Sequence, residues 1–554
     1  MEKPWLRFYE KGVPHELELP NLTLSQLFNT AVKNNPRGVA MSFLGARISY
    51  RKLHHLVHQL AVALTRLGVK KGDRVAIILP NIPQYPMAHF AALEIGAILV
   101  PTNPMYVERE LKHQLNDSGA RTVIVLDILF PKLDNILHET EVKNVIITSM
   151  HEYLPGHLKL LYPIKARKED RWIKIKPRPG IHFFRELMTE KFCSELPDAA
   201  VTADDIAILL YTGGTTGLSK GAILTHKNLV SNVTQVRRWY SAIQESQEVI
   251  LCALPFFHSY GLTTGLHLSV KLCSTMVLIP NPRNIKAILV AIKKNRATLF
   301  SGVPTLYIAV NNFPNIAKYD IASIKACVSG GAPLPLEVAK QFESITGGRL
   351  VEGYGLSETS PVTHVNPIMG NRKEGSIGIP VANTEAKIVD PETKEELPMG
   401  EVGELVVKGP QVMKGYWNME KETNAVIKDG WLFTGDMAKM DEDGFFYIVD
   451  RKKDLIIAGG FNIFPREIEE VLFEHPKILE AAVIGVPDEY RGETVKAVIV
   501  VKEGESLTAE EVILYCKDKL ASFKVPKMVE FCDSLPKSNI GKVLKRVLIE
   551  QSKI

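Results

Sequence analysis

The chain has 554 residues, of which 45% are apolar and 23% charged, and it carries a formal net charge of +5. At about one domain per 150 residues, this length predicts two to four packed units. The composition is that of an ordinary globular protein, and it argues against a disordered, collagen-like or membrane-spanning chain. Because the net charge is small for this length, the composition gives no indication of a nucleic-acid partner.

The predicted elements alternate between strand and helix in the first part of the chain. Apolar runs at 74–79, 121–126 and 145–148 predict strands, and a stretch at 88–95 predicts an amphipathic helix. This alternation is typical of an α/β fold with mostly parallel strands.

A charged segment, DRKKD at 450–454, follows a predicted small β subdomain with antiparallel strands at 402–407 and 445–449. We place a domain boundary in this segment, which gives a large N-terminal domain at 1–452 and a small α+β C-terminal domain at 453–554. The small domain has its own predicted elements, which are a helix at 465–472, strands at 481–484 and 495–501, and a helix at 509–520.

The segment YTGGTTGLSKG, residues 211–221, follows an apolar run and carries four glycines, five hydroxyl side chains and Lys220. Glycines let backbone N–H groups crowd around an anion, hydroxyls donate further hydrogen bonds, and a lysine adds positive charge. The pattern therefore predicts a phosphate-binding loop after a strand. It is not a Walker A loop, because Ser219 precedes Lys220 and Gly221 follows it.

Two further motifs predict the walls of a nucleotide site. SGGAPLP at 329–335 follows a predicted strand and brings bare backbone close to a ligand. EGYGLSETSP at 352–361 places Tyr354 between glycines, where its ring can stack on a planar base. The same motif contains Glu358, a hard oxygen ligand suited to Mg²⁺ beside phosphates.

The last two motifs lie nearer the end of the chain. Asp436 and Arg451 are separated by a turn, so they could meet across a hairpin and grip a ribose diol. LPKSNIGKVLKR at 535–546 contains Lys542. Taken singly, each of these residues has a plainer explanation as a surface acid, a turn residue or a solvated lysine.

In this order, the motifs resemble the adenylate-forming superfamily of acyl-CoA synthetases, adenylation domains and luciferases. The resemblance covers essentially the whole chain. It is closest to bacterial long-chain fatty acid–CoA ligases, through KPW followed by PHEL, LPFFHSYGLT, VKGPQVMKGYWN, RKKDLIIAGGFNIFPREIEEVL and PDEYRGETVKA. It implies a large domain of parallel and mixed sheets with a β subdomain, and a small mobile C-terminal domain that rotates between two half-reactions.

The resemblance also implies site residues. Those implied for binding ATP and the other cofactors are Thr212, Gly213, Gly214, Thr215, Thr216, Gly217, Lys220, Gly330, Gly331, Ala332, Pro333, Gly353, Tyr354, Gly355, Ser357, Asp436, Arg451, Lys453, Gly459, Gly460 and Lys542. Lys453 falls on the hinge position. The implied catalytic residues are Lys542, Glu358, His258 and Thr212, and the implied metal ligands are Glu358 and Thr212.

Three residues depart from the pattern. Ser357 stands where many relatives have Thr, which keeps the hydroxyl. Ala458 stands where many have Ser, and Ile457 where some long-chain enzymes have a second lysine. The last two weaken any residue-level assignment on the thiol side.

The implied reaction needs ATP, Mg²⁺ and coenzyme A. A medium- or long-chain fatty acid becomes acyl-AMP and then acyl-CoA, with release of pyrophosphate and AMP. One alternative is an enzyme that loads an acyl or aryl group onto a carrier protein. Another is a nucleotide-binding or membrane-surface regulator without turnover, which the retained Glu358, Asp436, Arg451 and Lys542 disfavour.

The acyl side of the site is predicted to be uncharged. Residues 251–319 contain no Asp or Glu, whereas an amino-acid-activating enzyme needs an acid to pair the α-ammonium. Either an apolar channel or ordinary core explains Phe256, Phe257, Tyr260, Leu262, Leu266, Val303 and Leu306.

We expect a cytoplasmic protein, because MEKPWLRFYEKG has no apolar targeting segment and no apolar run is long enough to span a bilayer. Residues 153–176 mix aromatic and aliphatic side chains with seven Lys or Arg. This stretch either rests peripherally on the inner face of the membrane or is a solvated loop. A homodimer is a further hypothesis.

Overall fold

The computed structural model describes residues 3–168, 173–189, 196, 198–212, 219–451, 454–458, 461–488, 492–538 and 543–552. The strands are, in chain order, β1 Val39–Phe43, β2 Ala46–Ser49, β3 Arg74–Ile78, β4 Ile98–Pro101, β5 Thr122–Leu126, β6 Asn144–Thr148, β7 Ile181–Phe183, β8 Ile206–Thr212, β9 Lys220–Thr225, β10 Val249–Cys252, β11 Thr275–Leu278, β12 Ala326–Ser329, β13 Arg349–Gly355, β14 Val362–Val365, β15 Ile379–Pro380, β16 Glu385–Val389, β17 Gly403–Lys408, β18 Ile427–Lys428, β19 Trp431–Met440, β20 Phe446–Arg451, β21 Ile456–Ala458, β22 Phe461–Ile463, β23 Ile478–Asp488, β24 Gly492–Val501 and β25 Met528–Phe531.

The helices are, in chain order, α1 Leu24–Asn34, α2 Tyr50–Arg66, α3 Gln84–Glu94, α4 Glu108–Ser118, α5 Phe130–Ile136, α6 Gly156–Lys168, α7 Phe184–Leu187, α8 His226–Trp239, α9 Ser259–Gly261, α10 Leu268–Lys271, α11 Ile285–Asn295, α12 Pro304–Asn311, α13 Leu336–Thr346, α14 Glu420–Val426, α15 Pro465–Phe473, α16 Ala509–Lys517 and α17 Lys545–Gln551. None of these helices, over their described residues, is both long enough and apolar enough to cross a bilayer.

The largest sheet has seven strands in the order β7-β6-β5-β3-β4-β8-β9. Its strands run parallel except for β9, which returns antiparallel beside β8. Two four-stranded sheets have the orders β10-β11-β1-β2 and β12-β13-β14-β15. This arrangement confirms the predicted α/β fold with parallel and mixed sheets.

The predicted β subdomain is also confirmed. β16, β17, β19 and β18 form an antiparallel sheet, and β20 pairs with β19 at its edge. After β20 the chain enters a separate sheet with the order β22-β21-β24-β23, with β25 paired to β24. Helices α15 and α16 pack on one cluster of this last sheet's apolar side chains, so the C-terminal segment has a core of its own.

One predicted element differs from the structure. The stretch at 88–95 was expected to form an amphipathic helix, but α3 is buried on all sides from Gln84 to Leu93. The reason is that α3 packs against α1 and α2 as well as against β3 and β4. A helix enclosed in this way has no solvated face to be polar.

Candidate active site

A large cavity lies between the N-terminal sheets and the C-terminal segment. Its volume is about 2150 Å³. Its walls include every predicted site residue whose side chain the structure describes, which are Thr212, Lys220, His258, Gly330, Gly331, Ala332, Pro333, Gly353, Tyr354, Gly355, Ser357, Glu358 and Asp436. Residues far apart in the sequence therefore meet around a single space.

The predicted phosphate loop is framed by two paired strands. Thr212 ends β8 and Lys220 begins β9, and the two residues are direct partners in the antiparallel register. Both line the cavity. The intervening Gly213, Gly214, Thr215, Thr216 and Gly217 lie outside the described residues.

Glu358 and Lys220 share a neighbour that the sequence reasoning did not identify. The Tyr416 hydroxyl donates a 2.8 Å hydrogen bond to Glu358 Oε1, and Lys220 Nζ lies 5.3 Å from the centre of the Tyr416 ring. Burial, together with the adjacent Glu358 carboxylate, raises the pKa of Tyr416, so the phenol stays protonated and donates. Tyr416 belongs to the VKGPQVMKGYWN block, but no spacing in the sequence links it to Glu358.

The donor set on this side of the cavity fits Mg²⁺ held largely by substrate phosphates. Mg²⁺ is commonly bound by one or two carboxylates together with phosphate oxygens and water. Glu358 supplies a half-buried carboxylate on the cavity wall, and Thr212 a hydroxyl. Across the described part of the chain, no group of three or more His, Cys, Asp or Glu side chains forms a ready-made metal cage.

Glycines allow the two predicted walls of the adenine pocket to approach each other. A Cβ atom on Gly330 would lie 3.3 Å from the Gly353 carbonyl oxygen. At Gly355 a Cβ atom would lie 1.9 Å from the Pro361 carbonyl oxygen, a distance that no side chain can accommodate. Gly331 has a φ of +81°, in the left-handed region that glycine tolerates.

Asp436 lies on β19 at the edge of the same pocket. Its carboxylate is buried and accepts a 2.6 Å hydrogen bond from the Tyr354 hydroxyl. In the β19–β20 hairpin, Asp436 pairs in register with Arg451, as the predicted hairpin requires. The Arg451 side chain lies outside the described residues.

His258 lies at the start of the short helix α9. Its Nδ1 atom accepts a hydrogen bond from the Tyr260 N–H at 3.2 Å, so the proton of the neutral ring is on Nε2. The next residue, Ser259, has its hydroxyl 3.2 Å from that of Ser357. These contacts connect the segment predicted to form the acyl side with Ser357, which is predicted to lie beside the phosphates.

The apolar candidates divide between cavity and core. Phe257, Tyr260 and Val303 line the cavity. Phe256, Leu262, Leu266 and Leu306 do not line it and belong to the packed core, to which Tyr260 and Val303 also contribute. The apolar lining continues through side chains that the sequence reasoning missed, which are Val236, Trp239, Tyr240, Leu254, Val362, Val365, Ile368 and Ile377.

Two ion pairs in the C-terminal segment lie on either side of the residues around Lys542. Lys537 contacts Glu480 at 2.5 Å, and Lys545 contacts Glu469 at 2.9 Å. All four side chains line the cavity. Lys542 itself lies outside the described residues, as do Lys453, Gly459 and Gly460.

Comparison with known proteins shows the family to which the chain belongs. The model of the AMP-binding enzyme family matches residues 28–417, and that of the AMP-binding enzyme C-terminal domain matches residues 467–542. The chain belongs to the AMP-binding enzyme family.

Members of this family resemble the chain over its full length. A long-chain-fatty-acid–CoA ligase of Bacillus subtilis (strain 168) is 47% identical over 99% of this chain and 98% of its own length. A long-chain-fatty-acid–CoA ligase of Escherichia coli O6:H1 is 40% identical over 100% and 99%. Among solved structures, ATP-bound MatB from Rhodopseudomonas palustris superimposes with a TM-score of 0.82 at 32% identity, covering 96% of this chain and 99% of its own.

Proposed function

We propose that this protein is an AMP-forming long-chain fatty acid–CoA ligase. It activates a medium- or long-chain fatty acid with ATP and transfers the acyl group to coenzyme A, giving acyl-CoA, AMP and pyrophosphate. The observation that carries the proposal is full-length similarity to long-chain-fatty-acid–CoA ligases at 47% and 40% identity. The cavity also supports it. Its lining has a polar, glycine-rich end and an apolar end, and residues 251–319, which contribute to the apolar end, contain no Asp or Glu.

In the first half-reaction, the fatty acid carboxylate attacks the α-phosphorus of ATP. A new O–P bond forms while the bond to the bridging oxygen breaks, and pyrophosphate leaves with the electron pair. Negative charge grows on the phosphoryl oxygens, so Lys220, Lys542 and the N–H and hydroxyl donors of the loop after Thr212 stabilise the transition state more than the ground state. Glu358 and Thr212 would hold Mg²⁺, which would neutralise further phosphate charge.

The remaining site residues position the two substrates. Asp436 accepts hydrogen bonds from the ribose, with Arg451 as its partner across the hairpin, while Tyr354 and the glycine walls enclose the adenine. His258, with its proton on Nε2, donates toward the fatty acid carboxylate. We assign the acyl chain to the apolar end that Phe257, Tyr260 and Val303 begin.

In the second half-reaction, the coenzyme A sulfur attacks the acyl carbonyl carbon. A C–S bond forms, the C–O bond to AMP breaks with its electron pair staying on the AMP phosphate, and the thiol proton passes to water. One site has to present two faces in turn, so we propose that residues 453–554 rotate as a domain about Lys453 between the half-reactions. Gly459 and Gly460 fall in the segment that we assign to the thiol side.

The acceptor is tested by the dependence of AMP release on free coenzyme A. Purified protein is given fatty acid, ATP and Mg²⁺ with and without coenzyme A, and AMP is measured over many turnovers. Multiple turnover only with coenzyme A supports the proposal. Sustained AMP release that instead requires a carrier protein with a free prosthetic-group thiol indicates the carrier-loading alternative.

We further propose that the protein contacts the inner face of the membrane through 153–176. Leu160 and Leu161 on α6 are 79% and 59% exposed, with Lys159 beside them. Exposed leucines next to basic residues suit an anionic bilayer. Co-sedimentation with phosphatidylglycerol vesicles tests this contact, with Leu160→Ser/Leu161→Ser as the variant.

The homodimer hypothesis is tested by light scattering after gel filtration.

A further inference from the structure

A buried arginine joins the C-terminal segment to the N-terminal sheets. Arg466 lies in the first turn of α15, and its side chain is 8% exposed. Its guanidinium donates to the Ile448 carbonyl oxygen at 2.8 Å and to the Gly375 carbonyl oxygen at 3.3 Å. It also lies 3.7 Å from the Glu352 carboxylate. These three contacts reach across the proposed domain boundary.

Glu352 has a second contact on its other side. It lies on β13 immediately before Gly353, and its Oε2 atom accepts a hydrogen bond from the Leu334 N–H at 3.2 Å. Leu334 belongs to the SGGAPLP motif, so this one buried carboxylate links the two predicted walls of the adenine pocket. The contact with Arg466 therefore couples the docking of α15 to the nucleotide site.

With α15 docked on the N-terminal sheets through Arg466, residues near the end of the C-terminal segment line the cavity. Lys537 and Ser538 line it on one side of the segment that contains Lys542, and 543–547 line it on the other. In this orientation the described residues on both sides of Lys542, which we assign to the first half-reaction, thus line the cavity. A rotation for the second half-reaction has to break the contacts of Arg466 with the N-terminal sheets.

We propose that Arg466 and Glu352 form a latch that holds the C-terminal domain in the orientation for adenylation. On this proposal, which rests on the proposed function, Arg466 is a positioning residue for the first half-reaction and has no part in the second. Removing the cation leaves Glu352 buried without its charged partner, which strongly disfavours the docked orientation. Replacing Glu352 by glutamine keeps an acceptor for the Leu334 N–H but removes the attraction for Arg466.

The experiment is a double-mutant cycle that follows the two half-reactions separately. Arg466→Ala is expected to slow pyrophosphate release by about tenfold to a hundredfold, while thioester formation from supplied acyl-adenylate stays within about threefold of wild type. Glu352→Gln should show the same split with a smaller effect. Because the two residues act as one contact, the double variant should be no slower than Arg466→Ala.

Two variants serve as controls. Glu470→Gln removes the other carboxylate that Arg466 contacts, at 3.1 Å on an exposed side chain, and should leave both half-reactions within about twofold of wild type. Arg466→Lys keeps the charge and should recover part of the adenylation rate. Equal loss of both half-reactions in Arg466→Ala, or additive losses in the double variant, would overturn the latch.

Hydrogen exchange supplies a readout that does not depend on turnover. The Leu334 amide is bonded to Glu352, so Arg466→Ala should speed exchange in peptides covering 334–336 and the first turn of α15, and Glu470→Gln should not. Unchanged exchange in Arg466→Ala contradicts the latch. If the wild type activates no fatty acid yet Arg466→Ala gives this exchange pattern, the proposed function fails while the docking contact stands.

Discussion

The Tyr416 hydroxyl donates a hydrogen bond to Glu358, the carboxylate that we assign to Mg²⁺. Tyr416→Phe deletes this bond and keeps the ring beside Lys220. A hydrogen bond to a charged group is worth about 1.5–3 kcal/mol, so we expect kcat/KM for ATP to fall by roughly tenfold or more. The Mg²⁺ concentration that gives half-maximal activity should rise in parallel. Pyrophosphate release measured across a range of Mg²⁺ concentrations checks both effects.

Tyr447→Phe is the matched control, because Tyr447 also donates to a carboxylate, Asp441, at 3.1 Å, but does not line the cavity. The assigned role of Tyr416 is wrong if the two Tyr→Phe variants behave alike.

Asp436→Ala is expected to weaken ATP binding and turnover together. It removes the proposed ribose acceptor and leaves the Tyr354 hydroxyl without the partner that it has at 2.6 Å. Asp436→Asn keeps an acceptor for Tyr354 but loses the charge, so its defect should be smaller. Steady-state kinetics with varied ATP make the comparison, and an unchanged KM for ATP in Asp436→Ala contradicts the ribose assignment.

Lys542 and Lys453 should separate the two half-reactions. Lys542→Ala removes positive charge from the first transition state, and loss of one preorganised donor costs about 3 kcal/mol, so pyrophosphate release should fall a hundredfold or more. Thioester formation from supplied acyl-adenylate should remain near normal. Lys453→Pro should do the opposite, because proline fixes φ at the proposed hinge.

Lys527→Ala, a substitution of an exposed lysine in the same domain, is the control for Lys542→Ala. If Lys542→Ala and Lys453→Pro each lose both half-reactions to the same extent while remaining folded, this result counts against rotation about this hinge.

The stability of the protein should depend on pH through Glu352. Burial raises the pKa of this carboxyl from 4.5 to about 7, while Arg466 and the Leu334 N–H act to lower it and Glu470 to raise it. The pKa of Glu352 is thus higher in the folded protein than in the unfolded chain. The ionised carboxylate therefore destabilises the fold above about pH 7, and this penalty disappears as the pH falls toward 4.5.

Glu352→Gln carries no such charge. The Tm of Glu352→Gln minus that of wild type should therefore increase from pH 5 to pH 8. Melting curves at several pH values give the difference, and a flat or falling trend contradicts the account of this carboxyl.

The sequence allowed most of the fold to be predicted, because strands such as β3, β5 and β8 are continuous apolar runs bounded by polar or glycine-rich turns. The helix α3 could not be read correctly, since only its tertiary neighbours make it buried on all sides. The residues proposed for the nucleotide side could be located at the cavity from sequence, because glycine-rich loops carry their chemistry in consecutive residues. The Tyr416–Glu358 and Arg466–Glu352 contacts could not be predicted, because they join residues more than fifty positions apart.

For the residues proposed for the acyl side, too, the sequence alone could not distinguish cavity lining from core. Phe256 and Phe257 are adjacent and chemically identical, yet Phe256 is fully buried in the core and Phe257 lines the cavity. Composition alone cannot distinguish the two, since the choice depends on which way the backbone turns before α9.

The measurement that tests the central claim most directly is pyrophosphate release over a panel of acids, with ATP, Mg²⁺ and coenzyme A present. Saturated fatty acids of medium to long chain should be activated, each added methylene improving kcat/KM by something under about 0.8 kcal/mol until the apolar end is full. Free amino acids should give no activity. A preference for acetate, or robust activation of an amino acid, would contradict the account.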